Sequence, residues 1–555
     1  DLRSIRKLLM HPVNSSILFA ATNIGVFKTT DAGANWTSVS TISAHDVEFH
    51  PTNPDIVYAC SDEFFRSTDG GNSFTLIVSG LPAATAINRF RIAVSADEPE
   101  WVYVLGGNQS NHGFEGVFRS TDAGLNFSLR GNSPNIFGWQ NAGNDTGGQS
   151  WYDLGFAINP ANADELWVGG VNIWKSANGG TSYTLQTQWT LPNNTFGYVH
   201  ADIHDLAMFG SRLYCGSDGG IFKSENLGED WTNLSAGLSI TQFYDIGGSR
   251  TDPNIFIGGA QDNGTMVYSG TPIWGQRIGG DGITCIINPV NPNIQYGCTQ
   301  TGSVYKSTNG GASFSVIVST GFFAGESSAW ATMFVLDPND PNTIYVGYKS
   351  IYKSTAAGIT WTSLGNPNGQ TNATNFIAVA PSNSNVMYVV KGGNLVYKTT
   401  TGGGTWTYIG GNGLPSLPIA DIAVDPFDAN RVWVGYSGYT AASKIYRSDN
   451  AGANWTNITS NLPNLPVNCI SVQPNSNNIL YVGMDVGIYS KDATQSNWTD
   501  CTGDLPNVIV NEIEINTGLN KLQVGTFGRG AWQADLPLPN YCEPTFVNPC
   551  TSGHF

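Results

Sequence analysis

Apolar and polar residues alternate along this chain in short runs, and Gly, Pro, Asn and Asp separate one run from the next. Residues 44–51, 56–60, 64–67 and 74–78 form four such runs in succession. Period-two alternation between turn-forming residues predicts antiparallel strands joined by tight turns. After every fourth strand the pattern starts again, so the predicted structural unit has four strands.

A recurring segment follows the third predicted strand of most units. It reads Val26-Phe-Lys-Thr-Thr-Asp-Ala-Gly-Ala-Asn-Trp36 near the start and Ile445-Tyr-Arg-Ser-Asp-Asn-Ala-Gly-Ala-Asn-Trp455 near the end. Its core, Ser/Thr-x-Asp-x-Gly-x-x-Trp/Phe, is called the turn motif below. Copies begin at Thr29, Ser67, Ser120, Ser176, Ser224, Ser307, Ser354, Thr399, Ser448 and Ser490. A four-stranded repeat of roughly 40–50 residues is typical of a β-propeller blade.

The repeats predict an all-β, multi-bladed β-propeller. Two further units lack the motif, one over about 243–278 and one over 510–536, which makes twelve units, five in one group and seven in the other. This count favours two tandem seven-bladed propellers, the first lacking N-terminal blades in this chain; one ring of ten to twelve blades is the competing count. The predicted domains are 1–236, 237–536, and a Cys- and Pro-rich module or linker that begins at 537–555.

The turn motif itself is predicted to be structural. Its Asp accepts bonds from nearby backbone N–H groups, its Gly takes positive φ, and its aromatic residue packs between blades. Copies with Ala356 or Thr401 in place of Asp keep their predicted strands. The structural Asp or Asn positions are Asp31, Asp69, Asp122, Asn178, Asn226 and Asn309.

Charge and hydropathy limit the class of partner. The formal net charge is −17 and no run of 18 apolar residues occurs. Nucleic acids and anionic membranes are disfavoured because phosphate binding needs clustered Lys and Arg. Membrane insertion is likewise not expected. A chain of this kind is expected outside the cell.

Eight cysteines are too few for a disulfide scaffold, but their positions suggest two pairs. Cys285 and Cys298 lie in consecutive predicted strands, and Cys542 and Cys550 bracket a Pro-rich loop. Disulfides at these pairs would indicate an oxidising compartment. Buried free thiols are the alternative.

Candidate chemistry lies on the propeller face opposite the turn motifs, where turns between second and third strands meet the connections between blades. The carboxylate candidates there are Asp202, Asp218, Asp262, Asp281 and Asp485. The candidate binding residues are Tyr152, Asp153, His200, His204, Gln261 and Asn263.

Three interpretations of these residues remain open. Paired carboxylates suit glycoside hydrolysis, with one acid and one base or nucleophile. His200, Asp202 and His204 suit a metal if alternate strand positions project to one side, with Asp218 or Asp281 as a further ligand. Alternatively, these side chains have a structural role and anchor Gly-rich loops by hydrogen bonds to backbone N–H groups. No cofactor is required, and a structural Ca²⁺ is the one cofactor left open.

The turn motif and its strand pattern resemble the Asp-box, or BNR-repeat, propellers, which include sialidases, sortilin-type receptors and the family 74 xyloglucanases. The xyloglucanases are similar in having tandem seven-bladed propellers with a cleft between them. Their first-propeller catalytic Asp lies in an Asp-Val-Gly-Gly turn, where this chain has Thr22-Asn-Ile-Gly25. Asn lacks the carboxylate that this role needs.

Residues 140–535 also resemble large secreted Asp-box proteins of Bacteroidetes that carry a type IX secretion signal. The shared phrases include Gln261-Asp-Asn-Gly264 and Gly525-Thr-Phe-Gly-Arg-Gly-Ala-Trp532. This resemblance implies export to the cell surface or the medium and names no reaction. The leading hypothesis is therefore a secreted or surface propeller that binds a polysaccharide or a surface protein. A xyloglucanase-like glycoside hydrolase and a purely architectural surface component are the alternatives.

Overall fold

The structure is a computed structural model that describes residues 4–190, 197–270, 274–474, 478–537, 542 and 544–548. Within these ranges the regular elements are 47 β-strands and three short 3-10 turns, Ala84–Ala86, Gln300–Gly302 and Pro367–Gly369. The strands form eleven four-stranded sheets and one three-stranded sheet, each built from consecutive antiparallel strands. No described helix is long and apolar enough to cross a membrane. The all-β, four-strand repeat predicted from the sequence is confirmed.

The chain divides into two compact units, Asp1–Ser235 and Ala236–Phe555. The first unit contains sheets 1 to 5. Their strands are, in sheet 1, β1 Ile5–Met10, β2 Leu18–Thr22, β3 Gly25–Thr29 and β4 Thr37–Ser40; in sheet 2, β5 Asp46–Phe49, β6 Val57–Cys60, β7 Phe64–Ser67 and β8 Thr75–Ile77; in sheet 3, β9 Ile87–Val94, β10 Val102–Asn108, β11 Phe114–Ser120 and β12 Phe127–Gly131; in sheet 4, β13 Gly155–Asn159, β14 Asn162–Gly169, β15 Ile173–Ser176 and β16 Thr184–Leu185; and in sheet 5, β17 Ile203–Phe209, β18 Arg212–Ser217, β19 Gly220–Ser224 and β20 Thr232–Asn233.

The second unit contains sheets 6 to 12. Their strands are, in sheet 6, β21 Phe243–Gly248, β22 Ile255–Ala260, β23 Gly264–Ser269 and β24 Gly275–Ile278; in sheet 7, β25 Gly282–Ile287, β26 Gln295–Thr299, β27 Val304–Ser307 and β28 Ser315–Val318; in sheet 8, β29 Phe334–Leu336, β30 Ile344–Gly347, β31 Ile351–Ser354 and β32 Thr362–Ser363; in sheet 9, β33 Thr374–Val379, β34 Met387–Lys391, β35 Leu395–Thr399 and β36 Thr407–Tyr408; in sheet 10, β37 Ile419–Val424, β38 Val432–Tyr436, β39 Ile445–Ser448 and β40 Thr456–Asn457; in sheet 11, β41 Val467–Val472, β42 Leu480–Met484, β43 Ile488–Lys491 and β44 Thr499–Asp500; and in sheet 12, β45 Ile509–Asn516, β46 Lys521–Phe527 and β47 Ala531–Asp535.

The core lies between neighbouring sheets of each unit. Second strands such as β6 and β38 are buried at every position, whereas fourth strands such as β8 and β36 are short and largely exposed. A second strand is covered on both faces by the adjacent sheets, which is why its sequence reads as a continuous apolar run. The fourth strand lies at the sheet edge, so its side chains are more exposed.

The seven sheets of the second unit close on themselves. Asn511 Nδ2 donates to the Phe243 carbonyl at 2.9 Å, and Asn516 Nδ2 donates to the Ser249 carbonyl at 2.7 Å. Gln242 and Phe527 form an antiparallel bridge between the first and last sheets of the unit. The last sheet therefore packs beside the first, as ring closure requires.

A disulfide joins Cys501, just after β44, to Cys542 in the C-terminal tail. The described tail residues continue onto sheet 12: Val547 bridges to Gln533 of β47, and the Phe546 N–H donates to Asp504 Oδ1 at 2.7 Å. Phe546 is buried. The tail thus supplies part of the pairing that the missing fourth strand of sheet 12 leaves open.

Both predicted disulfides are wrong. Cys542 pairs with Cys501, and Cys550 lies outside the described residues. Cys285 and Cys298 are buried free thiols. Cys285 lies opposite Gly297 in the β25–β26 register, so the side chain of Cys298, one position further, points to the other face of sheet 7.

The turn motifs make local hydrogen bonds, as their sequence predicts. In sheet 3, Ser120 Oγ donates to Asp122 Oδ1 at 2.7 Å and accepts from the Gly124 N–H at 2.9 Å, with Gly124 at φ +83°. Equivalent bonds occur at Asp31, Asp69, Asn178, Asn226 and Asn309. In sheet 8, Ala356 replaces Asp, yet Ser354 Oγ still accepts from the Gly358 N–H. The buried hydroxyl is therefore the part of the motif that its degenerate copy retains.

Carboxylates on first strands link neighbouring sheets of the second unit. Asp245 of β21 accepts from the Cys285 N–H at 2.9 Å, and Asp421 of β37 accepts from the Ile470 N–H at 2.7 Å. Burial raises the pKa of Asp245 to about 8 and that of Asp421 to about 6, and it also raises the pKa of Glu512 and Glu514 on β45. These four carboxyls bind protons more tightly in the folded chain than in the unfolded one.

The second unit should therefore lose stability as the pH rises from about 4 to about 8. The stabilisation from a raised carboxyl pKa is complete below the ordinary value of 3.8 and is lost as the pH passes the folded value, about 8 for Asp245. Asp245→Asn keeps an acceptor for the Cys285 N–H and should raise the free energy of unfolding at pH 8 by roughly 1–3 kcal/mol, with little effect at pH 4. Urea titrations at several pH values measure this effect. Asp535→Asn, at an exposed ion pair with Lys521, is the matched control; an equal effect of both variants at pH 8 would contradict the prediction.

Candidate functional site

The candidate site of the first unit lies where second-to-third strand turns meet the connections between sheets. Tyr152 and Asp153 come just before β13, His204 is the second residue of β17, and Asp218 lies in the turn between β18 and β19. The antiparallel order of each sheet places these three locations at the same end of their strands. The fold therefore brings together residues that are far apart in sequence.

Asp218 is the centre of this group. It accepts a hydrogen bond from the Tyr152 hydroxyl at its Oδ2, 2.8 Å away, and its Oδ1 lies 2.6 Å from His204 Nε2. The ring of Tyr152 also contacts that of His204 edge to face, with centroids 4.9 Å apart. The hydrogen bond with Asp218 raises the pKa of His204, so the imidazole holds a proton at a higher pH than an ordinary histidine does.

Gln149 joins a second pair of carboxyls next to this group. Its Nε2 donates to Asp153 Oδ2 at 3.0 Å and also to Asp202 Oδ1. Asp153 is fully buried, and its Oδ1 has no hydrogen-bond partner among the described residues. Burial raises the pKa of Asp153 to about 7. Asp153 therefore changes its protonation state close to neutral pH.

Asp202 lies between the two groups. It has φ +64°, and its carbonyl accepts from the Asp218 N–H at 3.3 Å. One carboxylate oxygen of Asp202 is within 4.8 Å of one of Asp218. Burial, and then the charge of Asp218, raise the pKa of Asp202. The raised pKa favours the protonated form of Asp202.

An aromatic surface adjoins the carboxyls. The side chain of Trp151 is 59% exposed and packs against Tyr152, with ring centroids 5.4 Å apart. Trp139 and Trp189 are also exposed, and the Trp189 indole N–H donates to the Trp139 carbonyl at 3.4 Å. Trp151 and Trp139 belong to the connection of residues 132–154 between β12 and β13, which the buried Ile136 and Phe137 anchor to the core.

Gln149 is not among the residues predicted from the sequence, and Trp151 directly precedes the predicted Tyr152 and Asp153 without being assigned a role there. The unusual length of the 132–154 connection was the available signal, because long connections between strands are often functional. The structure brings together five of the residues predicted from the sequence: Tyr152, Asp153, Asp202, His204 and Asp218.

The predicted metal group does not form. Among the described residues, His200, Asp202 and His204 are not a set whose ligand atoms lie within 4.8 Å of one another. The prediction assumed regular alternation, but β17 begins only at Ile203, Asp202 is left-handed, and the register shifts between Ile203 and Asp205. His200 Nδ1 lies 3.1 Å from the Ala201 carbonyl, and His204 Nε2 bonds to Asp218.

The candidates of the second unit form loop contacts. Asp281 accepts from the Asp262 N–H at 2.7 Å, and the Asp281 N–H donates to Gln300 Oε1 at 3.1 Å. Asn263 Nδ2 donates to the Gln261 carbonyl at 3.0 Å. The bond that Asp281 accepts comes from a loop backbone, which favours a structural role for this carboxylate.

Asp485 makes a different set of contacts in the turn between β42 and β43. It accepts from the exposed Tyr439 hydroxyl at 3.1 Å and from Asn468 Nδ2 at 3.2 Å. Neither of these two partners is a carboxyl, so these contacts of Asp485 bring no second carboxyl to it for acid–base chemistry.

Comparison with known proteins shows the fold. No protein-family model matches the chain, and no curated protein matches it. Among solved structures, a GH74 xyloglucanase from Xanthomonas campestris is similar at 14% identity, over 97% of this chain and 83% of that chain, with a TM-score of 0.64. An ancestral GH74 enzyme is similar at 14% identity, over 97% of this chain and 92% of that chain, with a TM-score of 0.59. The multi-bladed β-propeller predicted from the repeats is confirmed.

Proposed function

We propose that the first unit binds a polysaccharide, with Trp151 as the stacking surface and Asp218 and His204 as hydrogen-bonding groups beside it. The observation that carries this proposal is the continuous contact from the exposed Trp151 ring to Tyr152 and on to Asp218 and His204. An exposed aromatic ring next to oriented polar groups matches a sugar ring, which has an apolar face and hydroxyls at its edge.

The charge state of the group suits neutral sugars. Asp218 accepts bonds from both Tyr152 and His204, so it fixes the positions of these two side chains beside each other. Asp153 and Asp202 add negative charge beside Asp218 when they ionise, which disfavours an anionic ligand. Binding by stacking and hydrogen bonds requires no cofactor.

A role outside the cytoplasm belongs to the same proposal. The net charge of −17 and the scarcity of Lys and Arg disfavour nucleic-acid partners. The disulfide between Cys501 and Cys542 is typical of an oxidising compartment. A polysaccharide at the cell surface or in the medium is therefore the partner we favour over a surface protein.

Trp151→Ala should weaken polysaccharide binding about tenfold, because the variant removes the stacking surface and leaves the polar groups in place. Affinity electrophoresis in gels containing xyloglucan, mixed-linkage β-glucan or galactomannan measures the effect. Phe209→Ala is the matched control, since Phe209 is 68% exposed at the opposite end of β17 from His204. Equal retardation of wild type and Trp151→Ala in every gel would contradict the proposal.

Glycoside hydrolysis is the second candidate, favoured by the Asp202–Asp218 pair. Their carboxylate oxygens lie within 4.8 Å, and the pKa of Asp202 is raised, so one carboxyl can donate a proton while the other acts as base or nucleophile. Release of reducing sugar from the same polysaccharides tests this candidate. Binding of a polysaccharide without release of reducing sugar after prolonged incubation would contradict hydrolysis and support binding only.

A further inference from the structure

A polar cavity of about 550 Å³ lies in the first unit, apart from the residues of the candidate site. Its volume falls within the roughly 300–1,000 Å³ typical of pockets for small molecules. The side chains that line it include Ser43, His45, Ser61, Thr85, Asn88 and Gln109. They come from the starts of the first strands and the second-to-third strand turns of sheets 2 and 3.

The backbone around the cavity is firmly held. The His45 N–H donates to the Cys60 carbonyl at 2.7 Å, the Phe90 N–H donates to the Ser61 carbonyl at 2.7 Å, and the Gln109 N–H donates to the Ala86 carbonyl at 2.9 Å. The bond between Phe90 and Ser61 connects sheets 2 and 3, and the other two bonds hold the loops within each of these sheets. The polar side chains are therefore presented on a preformed frame, which lowers the entropy cost of binding.

The side chains that line the cavity are mostly uncharged. Burial, and then the charges of Arg6 and Arg89, lower the pKa of His45 to about 4, so its imidazole is neutral at neutral pH. Asp62 is the one carboxylate in the lining, and its Oδ1 already accepts from Ser61 Oγ at 2.7 Å. Arg6, which donates to Ser43 Oγ at 3.3 Å, and Arg89 are not among the lining residues, so most side chains that a ligand would touch are uncharged.

Hydroxyl, amide and neutral imidazole groups form hydrogen bonds with sugar hydroxyls, and the apolar Ala84 and Ile87 complete the lining.

The cavity is also connected to the aromatic surface. Asn88 Nδ2 lies 3.2 Å from His112 Nδ1, and the His112 carbonyl accepts from the Ser150 N–H, next to Trp151. Both features lie on the same face of the first unit.

We propose that this cavity is a second saccharide site, which holds a short neutral segment or the end of a glycan chain. This inference rests on the proposed function for its ligand class, but it uses none of the Trp151 group. A polymer that reaches both sites would bind more tightly than either site allows alone. Occupation of one site raises the effective concentration of the polymer at the other.

Isothermal titration calorimetry with neutral tetrasaccharides tests the cavity directly. The probes are cellotetraose, mannotetraose and maltotetraose, with tetragalacturonate as the charged comparator. We expect the wild-type chain to bind at least one neutral probe and not the charged one, with the His45 ring signals shifting in NMR spectra. Thr85→Ala combined with Gln109→Ala should weaken that binding about tenfold, because two hydrogen-bonding side chains are lost from exposed positions.

Thr52→Ala is the matched control, because Thr52 is exposed in the turn between β5 and β6, at the other end of sheet 2. Binding of no neutral tetrasaccharide, equal binding of tetragalacturonate, or unchanged affinity of the double variant would each overturn the cavity site. Polysaccharide retardation that still depends on Trp151 would then show that the proposed function survives without it. If the protein binds a neutral tetrasaccharide but no polysaccharide gel retards it, the proposed function would be rejected and the cavity site would be supported.

Discussion

Asp218→Asn should weaken polysaccharide binding by about tenfold to a hundredfold and abolish any hydrolysis. The Asp218 carboxylate accepts from Tyr152 at 2.8 Å and contacts His204 at 2.6 Å, and hydrogen bonds to a charged group are worth about 1.5–3 kcal/mol. Asn has one acceptor oxygen and a donating NH₂ group, so it cannot serve both partners. The pKa of His204 should fall toward its ordinary value, because its main cause of elevation is lost.

Affinity electrophoresis and the NMR titration of His204 measure the two effects separately. Asp164→Asn is the matched control, since Asp164 is half exposed near the start of β14, at the other end of its sheet from Tyr152. An unchanged His204 titration in Asp218→Asn would contradict the geometry of the site. Unchanged binding with a shifted titration would instead show that the group is structural.

Removal of the Cys501–Cys542 disulfide should lower the free energy of unfolding of the second unit by about 4 kcal/mol. The bond closes a loop with a sequence separation of 41, and loop-closure entropy of the unfolded chain gives this value. The tail pairing at Val547 and Gln533 should then open first, because the covalent link no longer holds Phe546 over the core.

Thermal unfolding of the Cys501→Ala/Cys542→Ala double variant measures this effect. The control is the response to dithiothreitol, which should destabilise the wild-type chain and leave the double variant unchanged. The remaining described cysteines are buried free thiols, so reduction has no second target among them. Equal midpoints for the oxidised and reduced wild-type chain would contradict the prediction.

The outcome at the cysteines shows where sequence reasoning reaches its limit. Cys542 and Cys550 are close in sequence, which made their pairing plausible, but Cys542 instead meets a residue at the end of sheet 11. Cys285 and Cys298 lie in adjacent strands, but pairing across a sheet depends on register, and one position decides which face a side chain occupies. Neither fact is contained in a local pattern.

At the candidate site, the sequence likewise predicts where the residues lie but not which contacts they make. The polar segments that contain Tyr152, His204 and Asp218 are identifiable as candidate site segments because they depart from the repeat. The topology of the predicted sheets places them on one face. Their roles were not recognisable. A bulge and the left-handed Asp202 broke the alternation that the metal prediction required, and burial of Asp153 depends on how the 132–154 connection packs.

The sequence by itself determined the all-β fold, the four-strand unit and the structural role of the turn motif. These features depend on interactions within a few residues, such as the bonds of Ser120 with Asp122 and Gly124, so repetition makes them visible. Only the tertiary structure decided the partner of Cys542, the polar cavity and the hydrogen bonds around Asp218. These arise from contacts between sheets, where a one-residue change in register or a single turn conformation redirects a side chain.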